Sequence, residues 1–214
     1  MTPEKFDRYL NLARSTVYSE PEDGNFHNAL IKQAVQTFVP LFGLPDTPFV
    51  LDAGCGPGVF MDEMRGAGFQ SLWGVTLSQD DVDACRRKGH GCTLGDISDL
   101  DDVDETVDLV WCRHAIEHSP YPLFTLYEFN RVLKPGGGLY VEVPAPALPR
   151  QHEWNPNHYS ILGVHMWVAL MQRAGFEVFD TREIKLELQQ NGEAVPEVFY
   201  AFLAWKCRSI LSAS

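Results

Sequence analysis

Three groups of residues combine types and spacings suited to chemistry. The first is VLDAGCGPGVF, residues 50–60, where Asp52 is followed by Gly54, Gly56 and Gly58. Glycines at alternate positions after a strand permit a tight turn and a close approach of backbone to a ligand. A helix starting there would turn its N–H groups to the same ligand. The second group is His114-Ala115-Ile116-Glu117-His118. On a helical turn, positions i, i+3 and i+4 share a face, so His114, Glu117 and His118 could converge on one metal ion. The third is PAPALPRQHEWNPNHYSIL, residues 144–162, which gathers Arg150, His152, Glu153, Trp154, Asn155, Asn157, His158 and Tyr159. A loop this long inside a compact domain is usually a lid or a binding loop.

Periodicity outlines the elements that must position these groups. Residues 1–44 read as two helices. The first carries a stripe of Phe6, Tyr9, Leu10 and Ala13, and Pro21, Asp23 and Gly24 break the chain after it. Asn25 would cap the second, which carries Phe26, Ala29, Leu30, Ala34, Val35 and Phe38 before Pro40. From Pro48 short apolar runs alternate with helical segments. Strands are expected at Phe49–Ala53, Ser71–Leu77, Gly91–Leu94, Thr106–Cys112 and Gly138–Val143. Helices are expected after the glycine loop through about Arg65, then at Gln79–Lys88, Leu123–Leu133 and Val164–Ala174. Near-continuous apolar strands between helices imply a parallel sheet covered on both faces. Two alternating runs, Phe176–Leu188 and Val198–Lys206, close the chain, and the QQNGEAVPE segment between them suits a hairpin loop with an antiparallel final strand.

The glycine loop is not a dinucleotide fingerprint. That pattern needs G-x-G-x-x-G and an acidic residue about 20 positions on, whereas Val59 stands at the third glycine's place and strand two ends in Val75-Thr76-Leu77. D-x-G-x-G-x-G instead resembles the first motif of the class I S-adenosylmethionine-dependent methyltransferases. Arg131-Val132-Leu133-Lys134-Pro135-Gly136-Gly137-Gly138 is similar to their R-x-L-K-P-G-G turn before strand five, and the Glu117-His118 pair resembles the E-H stretch of their "type 11" relatives. The three matches stand in family order and spacing over about residues 48–144.

The resemblance implies an α/β, Rossmann-like, seven-stranded mostly parallel sheet with an antiparallel last strand and a helical N-terminal cover. It also implies S-adenosylmethionine as cofactor. Asp52, Gly54, Cys55 and Gly56 would face the methionine part, and Asp96 and Ile97 the adenine. Arg113 and His114, just past strand four, would lie beside the methionine. The family usually ends strand two with an acidic residue for the ribose; Thr76 stands here instead. The string through Leu77, Ser78 and Gln79 resembles the G-x-T-L-S turn of cyclopropane fatty-acid synthases, where such polar groups serve the ribose. Methyl transfer to a hydroxyl often needs a base, for which the candidates are His158, then His152, then His118. Arg150, Trp154 and Tyr159 would meet the acceptor. No metal is expected, although the Glu117-His118 pair is similar to part of the E-x-x-E-H metal sites of ubiquinone-pathway O-methyltransferases. His27, His90 and His165 read as surface or helix-face residues.

Composition narrows the function further. The 214 residues suit one domain: a cover at 1–44, a cofactor core at 48–144, a lid at 144–162 and a C-terminal helix and strand pair at 163–214. Seventeen basic against 29 acidic side chains, a net charge of −12, disfavour nucleic acid as partner. No apolar run reaches the ~18–20 residues of a membrane span, and the N-terminal stretch is too evenly mixed for a signal peptide. Five cysteines without a C-x-x-C pair read as reduced, separate thiols in a cytoplasmic protein. The expectation is methyl transfer to a small molecule, most naturally at oxygen. Transfer to carbon, nitrogen or nucleic acid, or a non-catalytic cofactor-binding scaffold, are the alternatives.

Overall fold

The computed structural model describes residues 2–14, 25–190 and 193–212. Its apolar runs become a seven-stranded sheet: β1 (Phe49–Ala53), β2 (Ser71–Thr76), β3 (Gly91–Leu94), β4 (Val107–Arg113), β5 (Leu133–Pro144), β6 (Phe176–Gln190) and β7 (Glu193–Lys206). The order is β3-β2-β1-β4-β5-β7-β6. The first five strands are parallel, and β7 runs antiparallel to both β5 and β6. Because side chains alternate across a strand, each strand feeds two cores. Leu51, Val110, Leu139, Val141 and Phe202 point to one face, where α5 (Pro122–Val132) and α6 (Val164–Arg173) pack with Leu126, Phe129 and Trp167. Val50, Leu109, Trp111, Tyr140 and Leu203 point to the other. There they meet α2 (Asn25–Phe38), α3 (Val59–Gly66) and α4 (Gln79–Arg87) through Ala34, Val35, Phe38, Phe60 and Val82.

The two N-terminal helices stand where the pattern puts them, α1 at Pro3–Arg14 and α2 from Asn25 itself. Within the expected stripe of α1, Tyr9 is exposed, and nothing is described of the side chains of Phe6, Leu10 and Ala13. The expected break at Pro21, Asp23 and Gly24 lies outside the described residues.

The C-terminal hairpin differs most from expectation. β6 and β7 pair as far as Gln190 and Glu193, so the nine-residue loop QQNGEAVPE is mostly strand. That strand includes Pro196, although proline lacks the N–H a ladder needs. The pairing of β7 with β5 ends at Pro144–Phe199, however, so Pro196 sits where β7 has a ladder partner on one side only. There a missing donor is tolerated. β5 also starts earlier than expected, at Leu133, because Leu133 already pairs with Val107.

Arg131 accounts for one of the motif positions structurally. Its guanidinium donates to the carbonyls of Leu100 and Asp102 and to the carboxylates of Asp104 and Glu128, which ties the acidic 99–105 loop to α5. Asn130 does the same for the C-terminus. Its amide donates to Ala174 O (2.8 Å) and Arg208 O (2.9 Å) and accepts from Ile210 N (3.1 Å). Replacing it by alanine strands three backbone groups, at about 1 kcal/mol or more each. Asn130→Ala is therefore expected to lower unfolding stability by roughly 2–4 kcal/mol, read as a shift of the urea midpoint at unchanged slope.

Candidate active site

The strand order reverses between β1 and β4, and in open α/β sheets the carboxyl ends of the strands at such a point form the ligand crevice. Asp52 ends β1 there, 4% exposed, and its Oδ2 has no hydrogen-bond partner among the described residues. Burial, with the neighbouring Cys85 thiol second, pushes its pKa well above the usual carboxylate range. The loop that follows is tightly held. Gly54 N and Cys55 N both donate to Val75 O at 2.9 and 3.0 Å. Gly54 has φ +84°, and a Cβ there would stand 2.2 Å from that of Ala115, so only glycine fits. Gly56 and Gly58 also hold left-handed backbone, and α3 begins directly after them.

At the end of β2, Thr76 and Ser78 are buried and engaged locally. Thr76 Oγ1 donates to Asp81 Oδ2 (3.3 Å), and Ser78 Oγ accepts from Asp81 N (3.3 Å), capping α4. Asp81, in the first turn of α4, thus brings a carboxylate beside the end of β2, a proximity that sequence spacing does not reveal. Leu77 is partly exposed, and Gln79 bonds Asp83 within the helix. Asp96 is buried and accepts from Ser98 N (2.8 Å), with Ile97 against the core.

The ends of β4 and β5 meet around a carboxylate the motifs did not mark. Glu142, 1% exposed, accepts from Tyr140 Oη (2.6 Å) and bonds His114 Nε2 (3.1 Å). Arg113 Nε lies 2.8 Å away as an ion-pair partner, out of line for a hydrogen bond. Burial works against the charge of Glu142, but Arg113 and then His114 and Tyr140 outweigh it and bring the pKa down to about 2. A charged residue inside the apolar run LYVEVP was the available signal. His114 has φ +50° and sits between Glu142 and Glu117. Burial and Arg113 push its pKa down, yet the two carboxylates leave it raised overall. His114 and Arg113 are thereby committed to this network, with the His114 ring edge-on to Phe199.

Residues 144–162 fold over this network. Tyr159 N and Ser160 N donate to Glu117 O. His118 Nδ1 stands 3.0 Å from Asn157 O, and His158 Nδ1 stands 2.9 Å from His152 O. A carbonyl only accepts, so in both imidazoles Nδ1 carries a proton, and in the neutral form of either ring Nε2 presents a lone pair. The two rings are 4.7 Å apart, and Asn155 Nδ2 lies 3.2 Å from His158 Nε2. Partial burial lowers the pKa of His158, which favours the neutral base. His152 differs, since its Nε2 bonds Glu197 Oε2 (3.0 Å), where Arg150 Nη1 also arrives (3.2 Å). Glu197 is fully buried and had no sequence signal. Trp154 is 76% and Tyr159 51% exposed, so neither is folded against the core.

Three side chains expected as one metal-capable set are regrouped. Glu117, His118 and His158 have ligand atoms within 4.8 Å of one another, and His158 takes the place expected for His114. Glu117 Oε2 is buried without a hydrogen-bond partner among the described residues. The cysteines are also not scattered in space. Cys55, Cys85 and Cys92 come together, which linear spacing could not show. His90, expected at the surface, is buried and bonds Asp62.

Sheet order, glycine turn and crevice together define a class I S-adenosylmethionine-dependent methyltransferase fold. Comparison with known proteins agrees: residues 26–195 match the methyltransferase domain family. The chain belongs to that family. Among curated relatives it is similar to the 27-O-demethylrifamycin SV methyltransferase of Amycolatopsis mediterranei, 25% identical over 145 residues (60% of this chain, 53% of the relative). It is also similar to the ubiquinone biosynthesis O-methyltransferase of Hydrogenovibrio crunogenus, 23% identical over 64% of this chain and 59% of the relative. The chain thus spans less than two thirds of either. A solved S-adenosylmethionine-dependent methyltransferase from Archaeoglobus fulgidus shares the fold with TM-score 0.67, 19% identity and coverage of 84% of this chain and 94% of that one.

The depressed pKa of Glu142 makes its stabilisation pH-dependent. It is present above the unfolded-state value of about 4.3 and lost as pH falls through about 2. Glu142→Gln is expected to cost about 3 kcal/mol at pH 7, and urea unfolding at pH 7, 5 and 3 should show that gap narrowing below pH 4.5.

Proposed function

We propose that this chain transfers a methyl group from S-adenosylmethionine to the oxygen of a small-molecule acceptor. The observation that carries the reading is the pair His118 and His158, each held at Nδ1 by a backbone carbonyl, which leaves Nε2 of the neutral ring as the basic nitrogen. A cationic cofactor suits the crevice, because the buried, unpartnered Asp52 Oδ2 would gain a positive or hydrogen-donating group beside the glycine turn. When bound, S-adenosylmethionine supplies a methyl group on positive sulfur, ready for in-line displacement.

In this reading Asp52 and the backbone of Ala53–Gly56 hold the methionine part, with Arg113 and His114 fixing its far wall through Glu142. Asp96 and Ile97 take the adenine. Thr76 to Gln79, with the Asp81 carboxylate, take the ribose. His158 accepts the acceptor's hydroxyl proton at Nε2, exchanging its contact with Asn155 for the substrate, and His118 lies next in line. Glu197 holds both His152 and Arg150, while Trp154 and Tyr159 offer aromatic surface to the acceptor. The described N-terminal residues, 2–14 and 25–44, serve as the cover, 48–144 form the cofactor core, and 144–162 exclude water. One relative is named for an O-demethylated acceptor and the other as an O-methyltransferase, which supports oxygen. Nucleic acid fits less well, because the longest basic run, Arg86-Arg87-Lys88, is partly neutralised by the Lys88–Asp62 pair. No helix among the described residues is long and apolar enough to cross a membrane, and five free thiols suit the reducing cytoplasm.

A second reading is favoured by the unpartnered Glu117 Oε2 beside the two imidazoles. Glu117, His118 and His158 would hold a divalent cation, which would lower the pKa of a coordinated acceptor hydroxyl. The two readings differ in a simple measurement. With a base alone, EDTA leaves turnover unchanged. Loss of turnover on chelation, with recovery on adding magnesium or zinc, would establish the metal instead.

Two substitutions test the assignments. His158→Ala should reduce kcat by roughly 100-fold while S-adenosylhomocysteine affinity, measured by calorimetry, stays within about twofold; equal losses in both contradict the base role. Asp52→Asn removes an unpaired buried carboxylate, so it should weaken S-adenosylmethionine binding at least about 10-fold, one hydrogen bond to a charged group, without lowering the thermal midpoint. A lower midpoint with unchanged binding would show Asp52 to be structural.

A further inference from the structure

Cys55 in the glycine turn, Cys85 on α4 and Cys92 on β3 form a buried sulfur cluster directly beneath the cofactor crevice. Cys55 Sγ lies 3.6 Å from Cys92 Sγ and 4.0 Å from Cys85 Sγ. Gly56 O accepts from both Cys55 Sγ (3.4 Å) and Cys85 Sγ (3.3 Å), so two sulfurs touch the backbone of the turn itself. The cluster also has room made for it. A Cβ on Gly74 would stand 2.6 Å from Cys55 Sγ, and one on Gly58 would stand 2.9 Å from Cys85 Sγ.

We propose that Cys55 and Cys92 are a reversible peroxide-modification site, closing to a disulfide that distorts the glycine turn. Cys92 is the attacking sulfur. Its Sγ is the one 3.6 Å from Cys55 Sγ, and the neighbouring Cys55 and Cys85 sulfurs lower its pKa, whereas their own are raised. The Cys92 thiolate attacks hydrogen peroxide; an S–O bond forms, the O–O bond breaks, and the hydroxide released takes up the thiol proton as water. Cys55 sulfur then attacks the sulfenic sulfur; the S–S bond forms, the S–O bond breaks, and the second hydroxide leaves as water with the Cys55 proton. Two thiols and one peroxide give one disulfide and two waters, the sulfurs being oxidised and the peroxide reduced. The product is neutral. Three thiolates around a soft metal ion would instead leave negative charge beside buried Asp52, which this desolvated place disfavours.

A disulfide requires about 2.05 Å between sulfurs, so closure draws the 3.6 Å pair together by about 1.5 Å. The turn has no slack to absorb that, since Gly54 and Cys55 are both bonded to Val75 O and Gly54 abuts Ala115. Resting on the reading that this turn holds the cofactor, oxidation lowers cofactor affinity and bound cofactor slows oxidation.

The test treats the full reduced chain with hydrogen peroxide, with and without S-adenosylhomocysteine, and maps peptides without reduction. The expected result is a Cys55–Cys92 disulfide, at least a tenfold loss of S-adenosylhomocysteine affinity by calorimetry, and recovery of both with dithiothreitol. Cys92→Ala, or Cys92→Ser should alanine fold poorly, keeps its affinity after peroxide, while Cys207→Ser, whose thiol is exposed and remote from the cluster, responds as the native chain does. Absence of any disulfide within the cluster overturns the proposal, as does a disulfide that leaves affinity unchanged. If the reduced chain fails to bind S-adenosylhomocysteine, the cofactor reading fails, and peptide mapping still decides the modification site by itself.

Discussion

A carboxylate sealed inside a sheet stays charged only if partners replace the water it lost, and Glu142 meets that condition at the centre of this fold. It sits between β4 and β7, in register with Arg113 and Ala201, and gathers Arg113, His114 and Tyr140. Tyr140 is shared with a second device, since its ring stacks on Trp111 (3.7 Å) and Trp111 on Phe60 (4.5 Å). Charge compensation and aromatic packing therefore meet in one residue. From Glu142 the network runs through His114 to Glu117, whose carbonyl receives the backbone of Tyr159 and Ser160. The 144–162 segment is thus tied to the sheet interior through charged side chains, and the left-handed turn at His114 is the bend that makes the connection.

Against this compensated network, Asp52 Oδ2 and Glu117 Oε2 are left without partners. Each such atom costs about 1–3 kcal/mol or more; among the described residues the other buried side-chain atoms without a hydrogen-bond partner are nitrogens, of His90, Trp111, Arg113 and Trp167. Asn130 uses both its amide atoms, and the buried Lys206 ammonium reaches Glu105 and Leu133 O. The two open carboxylate oxygens lie near the carboxyl end of β1 and in the turn after β4, where a ligand can complete the bonds. Buried carboxylate oxygens left open beside a crevice are a recurrent mark of a functional site.

What the sequence could disclose follows from distance along the chain. The strand and helix order, the glycine turn and the motif positions Arg131 and Glu117 depend on near neighbours, and they are legible as periodicity and spacing. The antiparallel last strand is legible as well, because two long alternating runs with turn residues between them admit few other arrangements. Its true start was hidden, because the tolerance for Pro196 depends on where β5 ends, 52 positions earlier in the pairing of Pro144 with Phe199. Glu197, Asp81 and the cysteine cluster were hidden for the same reason. Cys55 and Cys92 are 37 positions apart, and only the crossover from β1 through β2 to β3 makes them neighbours. Glu142 was the exception that pattern could have caught, being a lone charge in the apolar run Leu139–Pro144.

The lid shows how little apolar burial holds a segment with so many aromatic and imidazole rings. Its order comes from polar bonds: His158 to His152 O, Asn157 N to Asn155 Oδ1, Ala147 N to the Glu153 carboxylate, and Arg150 and His152 to Glu197. Trp154 meanwhile leaves most of its surface in water. Net hydrogen bonds contribute only about 0.5–1.5 kcal/mol each, whereas covering a large aromatic side chain contributes about 1.5–3 kcal/mol. Closure over an apolar acceptor would therefore add as much stabilisation as several of the bonds that shape the lid. The polar bonds set where His158 stands. In the proposed function, ring contact with Trp154 and Tyr159 would then govern acceptor choice, independently of the position of His158.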